Sequence, residues 1–426
     1  MSKKILTVLV LAALALTACG GKKAASSSGT NVKPEDMRPF RIGAITQLTG
    51  ENSFGGHEYQ YGYEMALEHL GGSINGRKIE VVIADGPNPE ATLSEFERLY
   101  NQGIRVFLSG YGCIADRTFA TMVDDMEALY MSLAWDADLI QEPGSTYFFR
   151  VGAIVEEFSG GCVEQAVGMG KDFLGKEPKD LRVAFLYSTA LGHIAEPMQR
   201  RATKLGVNVV VNEAYPADIK DFTPIITKLR NSNCDVLIPL QRTTDGTSFL
   251  KTIYQLGWRP PIVIGGGIFY DTPNFAELGD DITDGILTQA YTTPSIAENA
   301  APGTTRFSRE FEAKHGHKPL AHALQAYSGM QVYFEALKQL DPADWDDTAK
   351  LAAVVKNLDI PVGQLTWYWG VKFDEYNSNT RADQMIVNQW IGGQLYPIYP
   401  DFLATSTPNV PWDPAKNDKP TKAAKR

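Results

Sequence analysis

The sequence predicts an α/β protein of two doubly wound, Rossmann-like lobes, on three observations. Short apolar runs alternate with stretches of helical spacing along most of the chain. The alternation begins near Phe40 and restarts after Phe149. About 385 residues lie between a Gly/Ser-rich N-terminal stretch and a Pro/Lys-rich C-terminal one, too many for one ordinary core and comfortable for two. Strict β/α alternation builds parallel sheets with helices on both faces, and two such series build two similar lobes.

In order, residues 40–46 form a short apolar run of the kind found in buried parallel strands. A Gly/Asn/Ser loop (Thr49 to Gly56) leads to helical spacing through Tyr63, Met65, Ala66, Leu67 and Leu70. Asn75-Gly76 marks a turn before a second strand, 78–85. Residues 89–102 read as a helix closed by Gly103, 104–109 as a strand, 118–129 as a helix and 130–134 as a strand. The second series has helices at 156–174, 194–205, 223–230 and 247–256, with strands at 182–187, 207–213, 236–239 and 261–265. Beyond it come a strand at 285–291, helices at 304–315, 320–340 and 348–358, and hairpin-like strands through Lys372 and from Ile386 to Ile398. Residues 403–426 are rich in Pro, Lys and Thr and are expected to be disordered. Doubly wound sheets take their ligands beyond the C-terminal strand ends, where loops meet helix starts.

The N-terminus carries a processing signal. Lys3 and Lys4 precede an apolar run from Ile5 to Leu16, then Leu16-Thr17-Ala18-Cys19. Charge, a short apolar core and small residues describe a secretory signal peptide. The run falls short of the ~20 residues a membrane-crossing helix needs. The phrase ending in Cys19 looks like a bacterial lipobox, which implies residues 1–18 as signal and Cys19 as the lipidated residue. The alternative is an ordinary signal peptide that happens to carry a cysteine there. Gly20 to Asn31, rich in Gly, Ser, Ala and Lys, suits a flexible tether within a spacer at 19–39.

Composition excludes several classes. The net charge is −10, and removal of Lys3 and Lys4 takes two positive charges away, giving −12. An acidic chain without basic clusters is a poor nucleic-acid binder, because phosphate contacts dominate that affinity. Apart from Cys19, Cys113, Cys162 and Cys234 allow at most one intramolecular disulfide, and their wide spacing is not a paired zinc pattern. His315 and His317 lie in a Lys-His-Gly-His-Lys context that reads as surface. Neither metal nor cofactor is expected. The sequence has no Gly-x-Ser-x-Gly elbow, P-loop or His-Glu-x-x-His motif, so an enzyme is not expected. Gly265 to Gly267 lacks the spacing of a nucleotide loop and reads as a turn.

Several phrases, in order, resemble one family across nearly the whole mature chain. They are Ile42 to Gly50 (IGAITQLTG), Ile74 to Glu80 (INGRKIE), Thr146 to Gly152 (TYFFRVG), Asp221 to Leu229 (DFTPIITKL), and Ala326 to Met330 (AYSGM) with Glu335 to Leu337. Together they are similar to the leucine/isoleucine/valine-type, or type I periplasmic, solute-binding proteins of ABC transporters, which include amide and urea binders. The resemblance implies lobes joined by three hinge crossovers, near 152–154, 290–293 and 362–369. Lobe 1 would be 40–152 plus 293–362, and lobe 2 would be 153–292 plus 363–402. It also implies closure on a small molecule and docking of the closed, monomeric form on a permease, at the periplasmic face or cell surface with membrane contact through the anchor alone.

Positions carried over from the family give a candidate cleft. Phe54, with Gly55, matches an aromatic-Gly pair that packs on the ligand, simple loop packing being the alternative. Cys113, Ile114 and Ala115 match the loop where backbone amides and a Ser hydroxyl grip a carboxylate, but Ile114 and Ala115 bring no hydroxyl. Trp135 and Asp136 replace a small residue and a Thr; Trp135 either lines the cleft or packs in the core. In the second lobe Leu191 stands where many members have Tyr, and Gln241 takes the place of another Tyr. Gly267 stands where amino-acid binders carry an acid for the ligand's ammonium group. Asp136 could supply that charge from the opposite lobe, and Trp135 or Tyr111 could add cation–π attraction; otherwise the ligand carries no amine. Tyr270 and Tyr291 lie at strand ends beside the cleft or hinge. The departures point away from a plain branched-chain amino acid and toward an amide, an aromatic acid or another small organic molecule. A sensor that binds a ligand and engages a receptor or kinase is the competing function, since fold alone does not separate the two.

Overall fold

In the computed structural model, residues 32–50, 52–113, 115–133, 145–266 and 269–416 are described. The first sheet grows from β1 (Phe40–Thr46), followed by α1 (Ser53–Leu70), β2 (Ser73–Ile74), β3 (Arg77–Asp85), α2 (Pro89–Asn101), β4 (Val106–Leu108), α3 (Asp116–Met122), β5 (Leu129–Ser132) and β6 (Phe148–Arg150). Its order is β2-β3-β1-β4-β5-β6, parallel except for the β2–β3 hairpin. The second series is α4 (Val155–Leu174), β7 (Arg182–Ser188), α5 (Gly192–Leu205), β8 (Asn208–Tyr215), α6 (Thr223–Asn231), β9 (Val236–Leu240), α7 (Thr243–Gln255), β10 (Ile262–Gly265), α8 (Pro273–Ala276), α9 (Asp280–Thr283) and β11 (Leu287–Ala290). The last part of the chain adds α10 (Thr304–His315), α11 (Ala321–Leu337), α12 (Thr348–Lys356), a small hairpin of β12 (Asp359–Ile360) and β13 (Val371–Lys372), then β14 (Ile386–Ile391) and β15 (Gln394–Tyr399). The second sheet has order β15-β14-β11-β10-β9-β7-β8, with β14 and β15 antiparallel at one edge. The expected two-lobed, doubly wound α/β class is what the chain adopts.

Local chemistry sets the boundaries. Asn88 caps α2 by accepting the Ala91 N–H at 2.9 Å, with Pro89 at the first helical position. Gly71, at φ 85°, ends α1 in the left-handed conformation a side chain disfavours. β1 and β9 are buried along almost their whole length, as strands covered on both faces must be.

Lobe 1 is closed by residues that arrive late in the chain. α11 packs against α1, and Gly62 marks the crossing: a Cβ there would stand 2.2 Å from the Ala323 carbonyl oxygen. At the base of the lobe the buried Arg77 guanidinium donates to the carbonyls of Arg38 (3.0 Å) and Pro342 (2.7 Å) and to Asp346 (2.8 Å). Phe40 and Trp345 flank it at 5.6 and 5.5 Å. This charge is buried with partners on both chain segments, which is the condition for burial to be tolerable.

The third passage between the lobes comes later than the 362–369 expected. Leu365, Trp367, Tyr368 and Trp369 belong to the lobe 1 core. Residues 377–379 then lie along β6: Arg150 N–H donates to the Asn377 carbonyl (2.8 Å), and Asn379 N–H donates back to Arg150 (2.9 Å). The Asn379 amide also bonds the Val151 and Gly370 carbonyls. These bonds hold the chain on lobe 1 until it enters the second sheet at Ile386.

Residues 403–416, expected to be disordered, lie on the body. Leu403 is fully buried, the Gln389 amide exchanges two hydrogen bonds with the Asn409 backbone (2.8 and 2.9 Å), and Arg259 sits 5.7 Å from the Trp412 ring. Residues 417–426 lie outside the described residues, as do Cys19 and the spacer up to Asn31. Among the described residues no helix is long and apolar enough to cross a membrane.

Gly62→Ala should overpack the α1–α11 crossing and lower stability by about 1–3 kcal/mol. Chemical denaturation measures this, and an unchanged midpoint would show that the two helices can separate at no cost.

Candidate functional site

Each sheet has a switch point, where successive strands are added on opposite sides of the first. In lobe 1 the chain goes from β1 to β3 on one side and then to β4 on the other. In lobe 2 it goes from β7 to β8, then to β9 on the far side. The crevices beyond the C-terminal ends of β1/β4 and of β7/β9 are therefore where ligands bind in this architecture.

The lobe 1 crevice is built by close approach of α1 to the strand loops. A Cβ on Gly56 would stand 1.9 Å from the Gln47 carbonyl oxygen, and one on Gly55 would meet the Tyr111 ring at 2.5 Å. Only glycine at both positions lets the first turn of α1 settle there. Tyr111 is fixed by its own backbone: its N–H donates to Thr46 Oγ1 (3.0 Å), and its carbonyl accepts from the Gln47 side chain (3.3 Å). Phe54 then lies 5.5 Å from the Tyr111 ring, and His322, in the first turn of α11, lies 4.8 Å from Tyr111 and 6.4 Å from Phe54. The three rings form an aromatic shelf. Beside it a recess of about 210 Å³ is lined by residues including Thr46, Gln47, Gly86, Ala115 and Asp116. The Asp116 carboxylate accepts hydroxyls from Tyr130 (2.7 Å) and Ser132, which anchors the start of α3 to β5. A larger recess of about 420 Å³, between Arg38, Arg41, Arg105 and Trp345, is at the opposite end of the sheet and away from the switch point.

Of the expected lobe 1 residues, Phe54 and Tyr111 are brought together, Cys113 closes the short turn Tyr111–Cys113, and Ala115 is buried just before α3. Ile114, Trp135 and Asp136 lie outside the described residues, as does Gly267 of lobe 2.

In lobe 2, Leu191 and Gln241 occupy the loops after β7 and β9, at the switch point. Leu191 is buried in the core with Ile194. Gln241 is fully enclosed in a chain of hydrogen bonds. Tyr270 Oη donates to Gln241 Oε1 (2.6 Å), Gln241 Nε2 donates to Tyr215 Oη (3.1 Å), and Tyr215 Oη donates to Asp245 (2.5 Å). Asp245 also accepts the Arg242 N–H, at the start of α7. Burial, reinforced by Asp245, pushes the Tyr215 hydroxyl up, so the hydroxyl keeps its proton and donates it to Asp245. The Gln241 amide and the Tyr270 hydroxyl thus serve the loop that carries them. Tyr291 packs between Phe158 (5.0 Å) and Trp369 (5.5 Å) at the second passage between lobes.

Two residues escaped the sequence reading. His322 sits in a helical stretch where nothing distinguishes it from a surface histidine. Asp271 follows Tyr270 beyond the end of β10; it is buried, its Oδ1 has no hydrogen-bond partner among the described residues, and burial pushes its carboxyl up to about 7. Its context, Tyr-Asp-Thr-Pro, reads as a helix start and carries no signal of burial.

Glu58 supports the shelf from below. Its Oε2 accepts the Leu320 N–H (2.8 Å), which fixes the entry to α11 two residues before His322, and His317 stands 3.7 Å from the other oxygen. Burial raises its carboxyl from 4.5 to about 7, partly opposed by the Leu320 bond. The folded state then holds a proton that the unfolded state has released, so stability falls as pH rises from about 4.5 to about 7 and levels off above. Glu58→Gln, which keeps an acceptor oxygen and cannot ionise, should flatten that slope, by an amount on the order of 3 kcal/mol. Denaturation midpoints at pH 5 and pH 8 test this; equal slopes in the two proteins would discount Glu58.

The comparisons agree with this architecture. The periplasmic binding protein family model matches residues 39–393. A Leu/Ile/Val-binding protein homolog 8 from Brucella abortus is 29% identical over 376 residues, covering 86% of this chain and 92% of the relative. A putative branched-chain amino acid ABC transporter protein from Silicibacter pomeroyi superposes with TM-score 0.72 at 17% identity, over 87% of this chain and 98% of that one. An ABC transporter substrate-binding protein from Desulfitobacterium hafniense, solved in complex with Leu, superposes with TM-score 0.68 at 18% identity, over 85% of this chain and all of that one (100%). With a family model spanning both lobes and the same two-lobed fold in solved structures, the chain belongs to the periplasmic binding protein family, a class of solute-binding proteins.

Proposed function

We propose that the chain is an exported, lipid-anchored solute-binding protein. It captures a small organic molecule between its lobes by hinge closure and delivers it to the permease of an ABC transporter. The observation that carries this reading is the pair of switch-point crevices, one per lobe, connected by three passages that converge near Tyr291. A ligand bridging both crevices favours the closed form by its differential affinity for it, as hinge closure requires. On lobe 1 the contacts are Phe54, Tyr111, the backbone of Cys113, Ile114 and Ala115, and Trp135 with Asp136. On lobe 2 they come from the loops of Leu191, Gln241, Gly267 and Tyr270. The names of relatives support an amino acid as cargo, and the aromatic shelf supports an amide or an aromatic solute equally. Delivery is from the outer face of the membrane, with Cys19 as the anchor.

A thermal-shift screen of amino acids, amides, aromatic acids and polyols tests capture. A ligand at 100 times its Kd should add about 2.7 kcal/mol to the stability of the folded state. No shift with any member of the panel would remove the solute-binding reading for these classes. For the anchor, Cys19→Ser should move the protein from the membrane fraction to the supernatant, and unchanged retention would discount it.

A further inference from the structure

Phe54 and His322 occupy equivalent places. Each is the second residue of a long helix, α1 or α11, and neither N-cap residue, Asn52 or Leu320, caps its helix with its own side chain. Tyr111 joins them, at 5.5 Å from one ring and 4.8 Å from the other. His322 differs from His69, on the neighbouring α1. His69 uses both ring nitrogens, toward Tyr327 (2.9 Å) and Glu310 (2.9 Å). His322 Nε2 is buried and has no hydrogen-bond partner among the described residues. A polar atom taken out of water without a partner is costly, and a leucine or phenylalanine would fill the same place without that cost.

We propose that His322 is a specificity-determining residue of the cleft. With Phe54 and Tyr111 it selects a planar aromatic carboxylate over an aliphatic amino acid. This rests on the solute-binding reading and narrows its cargo. The rings meet at 57–67°, and such tilted groups offer both faces and edges to a further ring. An aliphatic side chain gains only contact area from them. Burial, opposed in part by a hydrogen bond with Gln325, pushes the imidazole down to about 4, so it stays neutral. In the tautomer with its one proton on Nε2, which gives up the bond to Gln325, it donates a single hydrogen bond to an acceptor in the cleft. The positive ends of two helix dipoles beside it favour a carboxylate over an amine.

Calorimetry on the full chain carrying Cys19→Ser, with 4-hydroxybenzoate and L-leucine as probes, tests the assignment. The protein should bind 4-hydroxybenzoate at least tenfold more tightly than L-leucine. His322→Phe should weaken 4-hydroxybenzoate at least tenfold, His322→Gln should restore part of the loss, and L-leucine should change by less than threefold in both. Phe54→Leu leaves the imidazole in place and should cost 4-hydroxybenzoate more than threefold, which keeps the test decisive if His322→Phe does not fold. Tighter binding of L-leucine, or affinities within threefold across all variants, overturns the role of His322 while leaving solute capture intact. Absence of binding to either probe overturns the aromatic-carboxylate assignment, and the wider thermal-shift panel then decides whether the solute-binding reading falls with it.

Discussion

The two lobes depend on how three strands of chain are gathered where they meet. Tyr291, on the second passage, packs edge-on against Phe158, just past the first, and against Trp369, in the segment before the third. Its hydroxyl donates to the Ala153 carbonyl at 3.4 Å, and the Gln289 amide donates to the Phe158 carbonyl. Trp367 and Tyr368 extend the aromatic group on the lobe 1 side. Stiff rings suit a pivot: they exclude water and resist compression while their edges can slide. With the Gln165 bond to the Met385 carbonyl, this cluster ties the segments on which the two crevices are carried.

The alternation of strand and helix was legible because periodicity is local. Runs such as residues 182–187 and 236–239 declare buried parallel strands without reference to the rest of the chain. The candidate site was legible only as loops, because a switch point follows from strand order, and Phe54, Cys113, Leu191 and Gln241 lie where strand ends meet helix starts. What each side chain does there was not legible. The Gln241 amide is saturated by Tyr215 and Tyr270, residues 26 and 29 positions away. His322 stands on a helix whose entry is held by Glu58, on another helix, through the backbone at Leu320. The third passage was misplaced for the same reason: Asn377 and Asn379 look like turn residues, but their partners lie on β6 and beyond, about 228 residues earlier. Long-range hydrogen bonds leave no periodic trace.

Buried polar groups in this molecule fall into two kinds. Arg77 and the Tyr270–Gln241–Tyr215–Asp245 chain are saturated, and they hold segments from distant parts of the sequence in one geometry. His322 Nε2, beside Tyr111, and Asp271 Oδ1, beyond the end of β10, are buried without partners among the described residues. Other buried atoms without partners among the described residues, such as Thr288 Oγ1 in β11 and Asn388 Oδ1 in β14, lie within the second sheet.

The late closure of both lobes has a consequence for biosynthesis. Lobe 1 needs α11, Trp369 and Met385 to complete a core begun at Phe40, and lobe 2 needs β14 and β15, which end at Tyr399. A chain emerging from the ribosome therefore cannot finish either lobe until nearly all of it exists. Its early strands remain partners in waiting, with their apolar faces open to whatever holds a nascent polypeptide. Two-lobed architecture with three passages thus links the order of synthesis to the moment of folding and keeps the polypeptide threadable until its last strands are made.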